Sequence, residues 1–76
     1  MRYSIQNDVT MKVLKRLPEK YHNNFIQVVK EDGLIDDCKY MVYFTENINF
    51  AGYDSVPCKT ITEAIYFIKN ATERSY

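Results

Sequence analysis

The chain is poor in the residues that most catalytic and metal sites require. Its 76 residues include no tryptophan, one histidine, two cysteines and two glycines. With His22 alone and no Cys-x-x-Cys pair, a zinc site would need carboxylates to complete it. Two glycines are too few for a phosphate-cradling loop, and no nucleophile or metalloprotease motif is present. We therefore expect a protein that is not an enzyme and uses no metal or cofactor.

Long apolar runs and an excess of charge of one sign are also missing. No apolar run approaches the roughly 18 residues that span a membrane, and residues 1–7 lack the apolar core of a secretion signal. We therefore expect a cytoplasmic protein without a membrane partner. Ten basic side chains balance ten acidic ones, which disfavours tight non-specific binding to DNA. The length allows a single small domain over residues 1–76.

The balanced charge is unevenly distributed along the chain. Residues 1–30 carry six basic and two acidic side chains, a net charge of +4, whereas residues 31–76 carry four basic and eight acidic ones, a net charge of −4. A basic first half can supply contacts to phosphates even when the total charge is zero. The acidic second half can instead contact a protein.

The spacing of apolar residues predicts two N-terminal helices. Residues 8–17 repeat apolar side chains at helical intervals, and Asn7 or Asp8 suits the N-cap position. A second amphipathic helix is predicted over residues 19–32. Gly33 follows it as the glycine that ends the helix.

A β-hairpin is predicted next in the chain. Residues 40–45 are aromatic and β-branched, which favours a strand, and a second strand is expected within residues 50–58. A hairpin centred near Ile48 would place Cys38 opposite Cys58. A disulfide is then geometrically allowed, although a reducing cytosol disfavours it, so the pairing of the two thiols stays open.

A third helix is predicted at the C-terminus. Thr60 and Glu63 form the spacing of a capping box, a specific signal for a helix start. The apolar residues that follow share one helical face, with Phe67 at its border, and Tyr66 falls opposite them. The predicted fold class is therefore α+β, with two N-terminal helices, a β-hairpin and a C-terminal helix.

This order resembles a known family. The segment Glu31-Asp32-Gly33-Leu34-Ile35, two strands and then the helix that starts Thr60-Ile61-Thr62-Glu63 resemble small winged helix-turn-helix proteins of low-GC bacteria and their phages. The resemblance covers roughly 45 of the 76 residues. It implies a recognition helix that ends before Leu34, a wing formed by the hairpin, and binding to duplex DNA.

On this resemblance the protein is expected to be a DNA-binding transcription regulator of a phage or mobile element. The basic first half would anchor phosphates, and amide side chains of the second helix would read adenine. Dimerisation is expected because one such module buries little surface. The candidate nucleic-acid-binding residues are Lys12, Lys15, Arg16, Lys20, Asn23, Asn24, Gln27 and Lys30.

A protein-binding inhibitor or adaptor is the alternative hypothesis. The predicted hairpin carries apolar and aromatic side chains where DNA-binding wings usually carry Arg or Lys. Aromatic residues are enriched at protein interfaces, so the hairpin aromatics and the acidic second half would contact a host protein. The candidate residues for this contact are Asn47, Ile48, Phe50, Tyr53 and Tyr66.

Overall fold

Two α-helices pack against one face of a three-stranded antiparallel sheet. The computed structural model describes residues 7–73, and the predicted α+β class is confirmed. The elements are α1 (Asp8–Arg16), β1 (Phe25–Lys30), β2 (Tyr40–Phe44), β3 (Ile48–Asn49), β4 (Ser55–Cys58), α2 (Ile61–Lys69) and β5 (Thr72–Glu73). A short 3₁₀ helix occupies Glu19–Asn24, and Ile35–Asp37 form a turn in which Asp36 and Asp37 have positive φ. Within the described range, no helix has both the length and the apolar character needed to cross a membrane.

The first helix forms where its capping signal predicts it. The Asn7 side chain accepts a hydrogen bond from the Thr10 backbone N–H at 2.8 Å, which satisfies one of the free donors of the first turn. Val13 and Leu17 are buried in the core. The extended backbone of Leu17 ends the helix before Pro18.

The predicted helix over residues 19–32 is wrong. Its first part is a 3₁₀ helix, and residues from Phe25 onward form strand β1. The register of β1 against β2 shifts between Phe25 and Gln27, which is a β-bulge. The extra residue turns Phe25 and Val28 to the same buried face although they are three residues apart. A bulged strand therefore produced the spacing expected of a helix.

Gly33 consequently does not end a helix. It lies in the connection that follows β1, with a φ of +78° that glycine adopts without strain. The element that precedes the β2–β4 hairpin is a strand, so the recognition helix that the winged-helix resemblance implied is not formed by residues 25–30.

The central strand of the sheet is β2, with β1 and β4 at its two edges. Cys58 lies opposite Tyr40 and Val56 opposite Val42, so the β2–β4 hairpin is centred at Asn49 and not at Ile48. Cys58 is therefore not opposite Cys38, and both cysteines are free thiols.

The segment between β2 and β4 is more elaborate than a simple turn. Only residues 55–58 of the predicted second strand pair with β2. The two residues of β3 pair with β5, which follows α2. Backbone pairing therefore joins the connection between β2 and β4 to the residues that follow α2.

The Thr10 side chain pairs with the backbone of β1 at the edge that faces away from β2. Its side-chain hydroxyl donates to the Val28 carbonyl and accepts from the Val28 N–H, both at 3.0 Å. Thr10 is 3% exposed and Val28 is fully buried. Because both backbone groups of Val28 already have a partner, this edge cannot pair there with another strand. The opposite edge of the sheet is β4.

The C-terminal helix begins as its capping box predicts. The Thr60 hydroxyl accepts from the Glu63 N–H at 3.0 Å, and the Glu63 carboxylate accepts from the Lys59 N–H at 2.7 Å. Ala64 and Ile68 are fully buried, so α2 closes the core over the sheet.

Candidate functional site

An apolar groove of about 400 Å³ lies along the outer edge of β4. It is assembled from the loop between β1 and β2, the turn that precedes β4, β4 itself and α2. The lining residues are Ile35, Phe50, Ala51, Tyr53, Ser55, Val56, Pro57 and Phe67. None of these side chains carries a charge. A concave apolar surface of this size is the usual form of a binding site for a small or narrow ligand.

A two-residue turn places Phe50 and Tyr53 on the same side of the groove. Their backbones exchange hydrogen bonds of 3.0 and 2.9 Å, and the two residues between them, Ala51 and Gly52, have φ of +52° and +87°. Positive φ at both positions is typical of a type I′ turn. The side chain of buried Asn49 accepts from the Gly52 N–H at 2.9 Å, which holds the turn against the core.

Aromatic rings join this turn to α2. The Phe50 and Phe67 ring centres are 4.9 Å apart, and the Tyr66 ring meets Phe67 edge-on at 5.8 Å. Tilted and edge-on aromatic pairs contribute about 0.5–1.5 kcal/mol each beyond the area they bury. Packed aromatic rings therefore form one wall of the groove.

Two large side chains on the groove remain in water. Ile35 is 68% exposed and Tyr53 is 66% exposed. Full burial of such a side chain is favourable by about 1.5–3 kcal/mol. Exposed apolar residues that adjoin an apolar groove are typical of an interaction surface, unlike single apolar residues scattered over a protein.

Pro57 restricts what the groove can bind. The Phe44 N–H donates to the Asp54 carbonyl, and residues of an antiparallel strand point their backbone groups alternately toward and away from the neighbouring strand. Ser55 and Pro57 therefore face the open edge. Proline has no N–H to donate, so a continuous added strand is disfavoured and side-chain contacts remain.

The structure brings together part of the predicted protein-binding set. Phe50 and Tyr53 line the groove, and exposed Tyr66 contacts its Phe67 wall. Ile48 packs against the core, and Asn47 is exposed but does not line the groove.

Six lining residues were absent from the predicted set, namely Ile35, Ala51, Ser55, Val56, Pro57 and Phe67. Phe67 had a sequence signal, since helical spacing places it at the border of the apolar face of α2. Pro57 and Ile35 had none, because their role depends on which strand is at the edge of the sheet and how the loop folds.

The basic candidates lie on and just after α1. Lys12, Lys15, Arg16 and Lys20 are all exposed. The Arg16 guanidinium donates to the Thr62 hydroxyl of α2 at 2.9 Å, and the Lys20 ammonium lies 5.1 Å from the centre of the Tyr21 ring.

The other nucleic-acid candidates do not share one helical face. Asn23 and Asn24 end the 3₁₀ helix, whereas Gln27 and Lys30 belong to β1. The Asn23 carbonyl accepts from the Thr45 hydroxyl at 2.6 Å. The half-buried Asn24 amide donates to the Ile68 carbonyl at 3.4 Å. The predicted stripe of base-reading amides on a recognition helix is therefore wrong.

A second, polar concavity of about 620 Å³ lies beside the groove, at the loop between β1 and β2. Its lining contains three carboxylates and two ammonium groups, and it also includes Gly33, Leu34 and Cys38. The Glu31 carboxylate accepts from the Tyr43 hydroxyl at 2.6 Å. This hydrogen bond, followed by burial and the Glu31 charge, raises the pKa of Tyr43.

His22 and Cys58 both contact structural parts of the fold. A ring nitrogen of His22 lies 2.8 Å from the Leu17 carbonyl. Burial, with smaller contributions from Glu63 and Cys38, raises the pKa of the Cys58 thiol to about 12. Across residues 7–73 no three His, Cys, Asp or Glu side chains are grouped so that they could hold a metal ion.

No protein-family model, curated protein or solved structure shows significant similarity to this chain.

Proposed function

We propose that this chain is a small non-enzymatic domain that binds another protein through the apolar groove. The observation that carries the proposal is the pair of largely exposed side chains, Ile35 and Tyr53, beside the aromatic wall of Phe50 and Phe67. Tyrosine and buried apolar anchors dominate the free energy of protein interfaces. Such a domain acts as an inhibitor or adaptor, because occupying or bridging a partner requires no catalytic group.

The groove favours a narrow segment over a broad flat surface. Its volume of about 400 Å³ lies in the range of pockets that enclose drug-sized ligands. One or two large side chains of a partner would fill it and would cover Ile35 and Tyr53. Pro57 at the open edge of β4 directs recognition to side chains and away from strand pairing.

A pair of exposed isoleucines provides a matched test. Ile35 lines the groove, whereas Ile26 is 62% exposed on β1 and does not line it. Random short peptides displayed on a library would be selected on the wild-type chain, and their affinities then measured by fluorescence anisotropy. We expect Ile35→Ser to weaken binding about tenfold, since a lost anchor costs about 1.4 kcal/mol, and Ile26→Ser to leave it unchanged. The proposal fails if no selected peptide depends on Ile35.

Nucleic-acid binding is a second candidate function, favoured by the exposed basic side chains of α1 and Lys20. Its winged-helix form required a recognition helix over residues 19–32, and those residues form a 3₁₀ helix and a strand. The remaining form is contact of α1 with phosphates, independent of base sequence.

Duplex DNA of random sequence tests this second candidate. Anisotropy would be titrated at low and moderate salt, with Lys15→Glu/Lys20→Glu alongside the wild-type chain. Binding that weakens with salt and disappears in the double variant would support it. Absence of binding at low salt would remove it.

A further inference from the structure

We infer that the occupant of the groove is a basic segment of a partner protein, in which one or two large apolar side chains are flanked by Lys or Arg. This inference rests on the proposed function and specifies the chemistry of the partner. Three features support it: exposed carboxylates beside the groove, the polar concavity next to it, and the repulsion that two copies of the chain would meet if their grooves faced each other.

The groove has an acidic border. Among the immediate chain neighbours of its lining residues, the only charged ones are Asp36 and Asp54, and both are exposed. Two positions along the chain from lining residues lie exposed Asp37, Lys59 and Lys69, so the border is acidic chiefly at the Asp36 and Asp37 loop. A partner that places an apolar side chain in the groove therefore brings its flanking residues toward carboxylates. Lys or Arg at those flanks is favoured, and Asp or Glu is opposed.

The polar concavity extends this acidic border. The turn Ile35–Asp37 separates the two surfaces, because Ile35 lines the groove and Asp37 lines the concavity. Glu31 and Asp32 line the concavity as well, so its three carboxylates outnumber its two lysines. An apolar anchor in the groove and a cationic side chain in the concavity can therefore come from one continuous segment.

The turn that links the two surfaces has a fixed backbone conformation. Asp36 and Asp37 have φ of +52° and +60°, the left-handed region that Asp and Asn tolerate better than other residues with a side chain. The substitutions Asp36→Asn and Asp37→Asn therefore remove charge without demanding a new backbone. They separate the effect of the charges from the effect of the fold.

A second copy of this chain does not match the groove. In a two-fold symmetric dimer the same patch meets itself, so a groove-to-groove contact would bring the two acidic borders together. Like charges across an interface oppose association. Pro57 also prevents continuous pairing of the two β4 edges.

The experiment uses the peptides selected on the wild-type chain. Their sequences would be compared with the unselected library, and their affinities measured for Asp36→Asn/Asp37→Asn. The control is Asp8→Asn/Glu19→Gln, which removes two exposed acidic charges from residues outside both concave surfaces. Analytical ultracentrifugation of the wild-type chain and Ile35→Ser would report self-association.

The expected result has three parts. Lys and Arg are enriched beside an apolar or aromatic residue in the selected peptides. The Asp36→Asn/Asp37→Asn variant binds them about fivefold more weakly at low salt, and high salt reduces this difference. The control variant binds them within twofold of the wild-type chain.

The other outcomes contradict the inference in distinguishable ways. Peptides that depend on Ile35 but show no basic enrichment, or no loss with Asp36→Asn/Asp37→Asn, would overturn the inferred chemistry and leave the proposed function standing. A dimer that is lost in Ile35→Ser would assign the groove to a second copy. Absence of any peptide that depends on Ile35 would overturn both proposals.

Discussion

Thr10→Val should destabilise the domain severely although it preserves the shape of the side chain. The Thr10 hydroxyl is the partner of both the N–H and the carbonyl of Val28, at 3.0 Å each. Valine replaces the hydroxyl by a methyl group and leaves two buried backbone groups unpaired. An unsatisfied buried polar group costs about 1–3 kcal/mol, so for the two groups together we expect a loss of about 2–6 kcal/mol in the free energy of unfolding.

The loss is large relative to the whole stability of so small a domain. At about 0.05–0.15 kcal/mol per residue, the chain has a free energy of unfolding of roughly 4–11 kcal/mol. Urea denaturation followed by far-ultraviolet circular dichroism measures the change. With a slope of about 1 kcal/mol/M, typical of small proteins, the urea midpoint should fall by about 2–6 M.

Thr10→Ser is the matched control for this prediction. It keeps the hydroxyl that bridges the edge of β1 and removes one buried methyl group, which costs about 1 kcal/mol. If Thr10→Val unfolds at the same urea concentration as the wild-type chain, or is more stable than Thr10→Ser, the hydroxyl does not stabilise the edge of β1 and the reasoning is refuted.

Three further predictions concern the turn, the thiols and the sheet. Ala51→Asn should raise the free energy of unfolding by about 0.5–1 kcal/mol in urea denaturation, because asparagine tolerates the left-handed backbone of this turn position better than alanine. A urea midpoint equal to or below that of the wild-type chain would contradict the type I′ turn. A thiol reagent should label half-exposed Cys38 quickly and spare Cys58, which is fully buried and has a pKa raised to about 12. The Cys38→Ser variant should show no fast labelling. Fast labelling of both cysteines in the wild-type chain would contradict the burial of Cys58. The pKa of Tyr43 is raised above its ordinary value of 10.0 by the hydrogen bond to Glu31, so its contribution to stability is complete below pH 10.0 and is lost as the pH rises through the raised value. The free energy of unfolding of Tyr43→Phe should therefore fall less than that of the wild-type chain as the pH rises above 10.0. An equal fall in the two proteins would contradict the prediction.

Helix starts were predictable because their signals are local. The N-cap Asn7 bonds to the N–H three residues later, and Thr60 does the same with Glu63. Each capping bond closes within one turn, so it needs no information from the rest of the chain. Both helix starts are confirmed.

The second predicted helix failed because a bulged strand and a helix can share one apolar pattern. Phe25 and Val28 suit a helical face, and a regular strand would turn them to opposite faces. The bulge between Phe25 and Gln27 brings them to one face, opposite buried Phe44 and Val42 of β2. Pairing with a strand many residues away therefore decided the local structure.

The candidate site was predictable only in part. Phe50 and Tyr53 were identified as aromatic residues of the hairpin, and the turn brings them together. Ile35 joins them although it lies in the loop between β1 and β2, and Phe67 joins them from α2. Helical spacing places Phe67 at the border of the apolar face of α2, but nothing within either segment indicates that Ile35 and Phe67 line the same groove.

Composition and local patterns alone predict the α+β class, the two capped helices, a strand at β2 and the contrast between a basic first half and an acidic second half. These properties depend on composition or on residues within a few positions of one another. The tertiary structure alone decided that residues 25–30 form an edge strand, that Thr10 closes that edge, and that Ile35, Tyr53 and Phe67 share a groove. Strand pairing and packing depend on residues far apart in the chain, and their free energies outweigh the small local preferences of each segment.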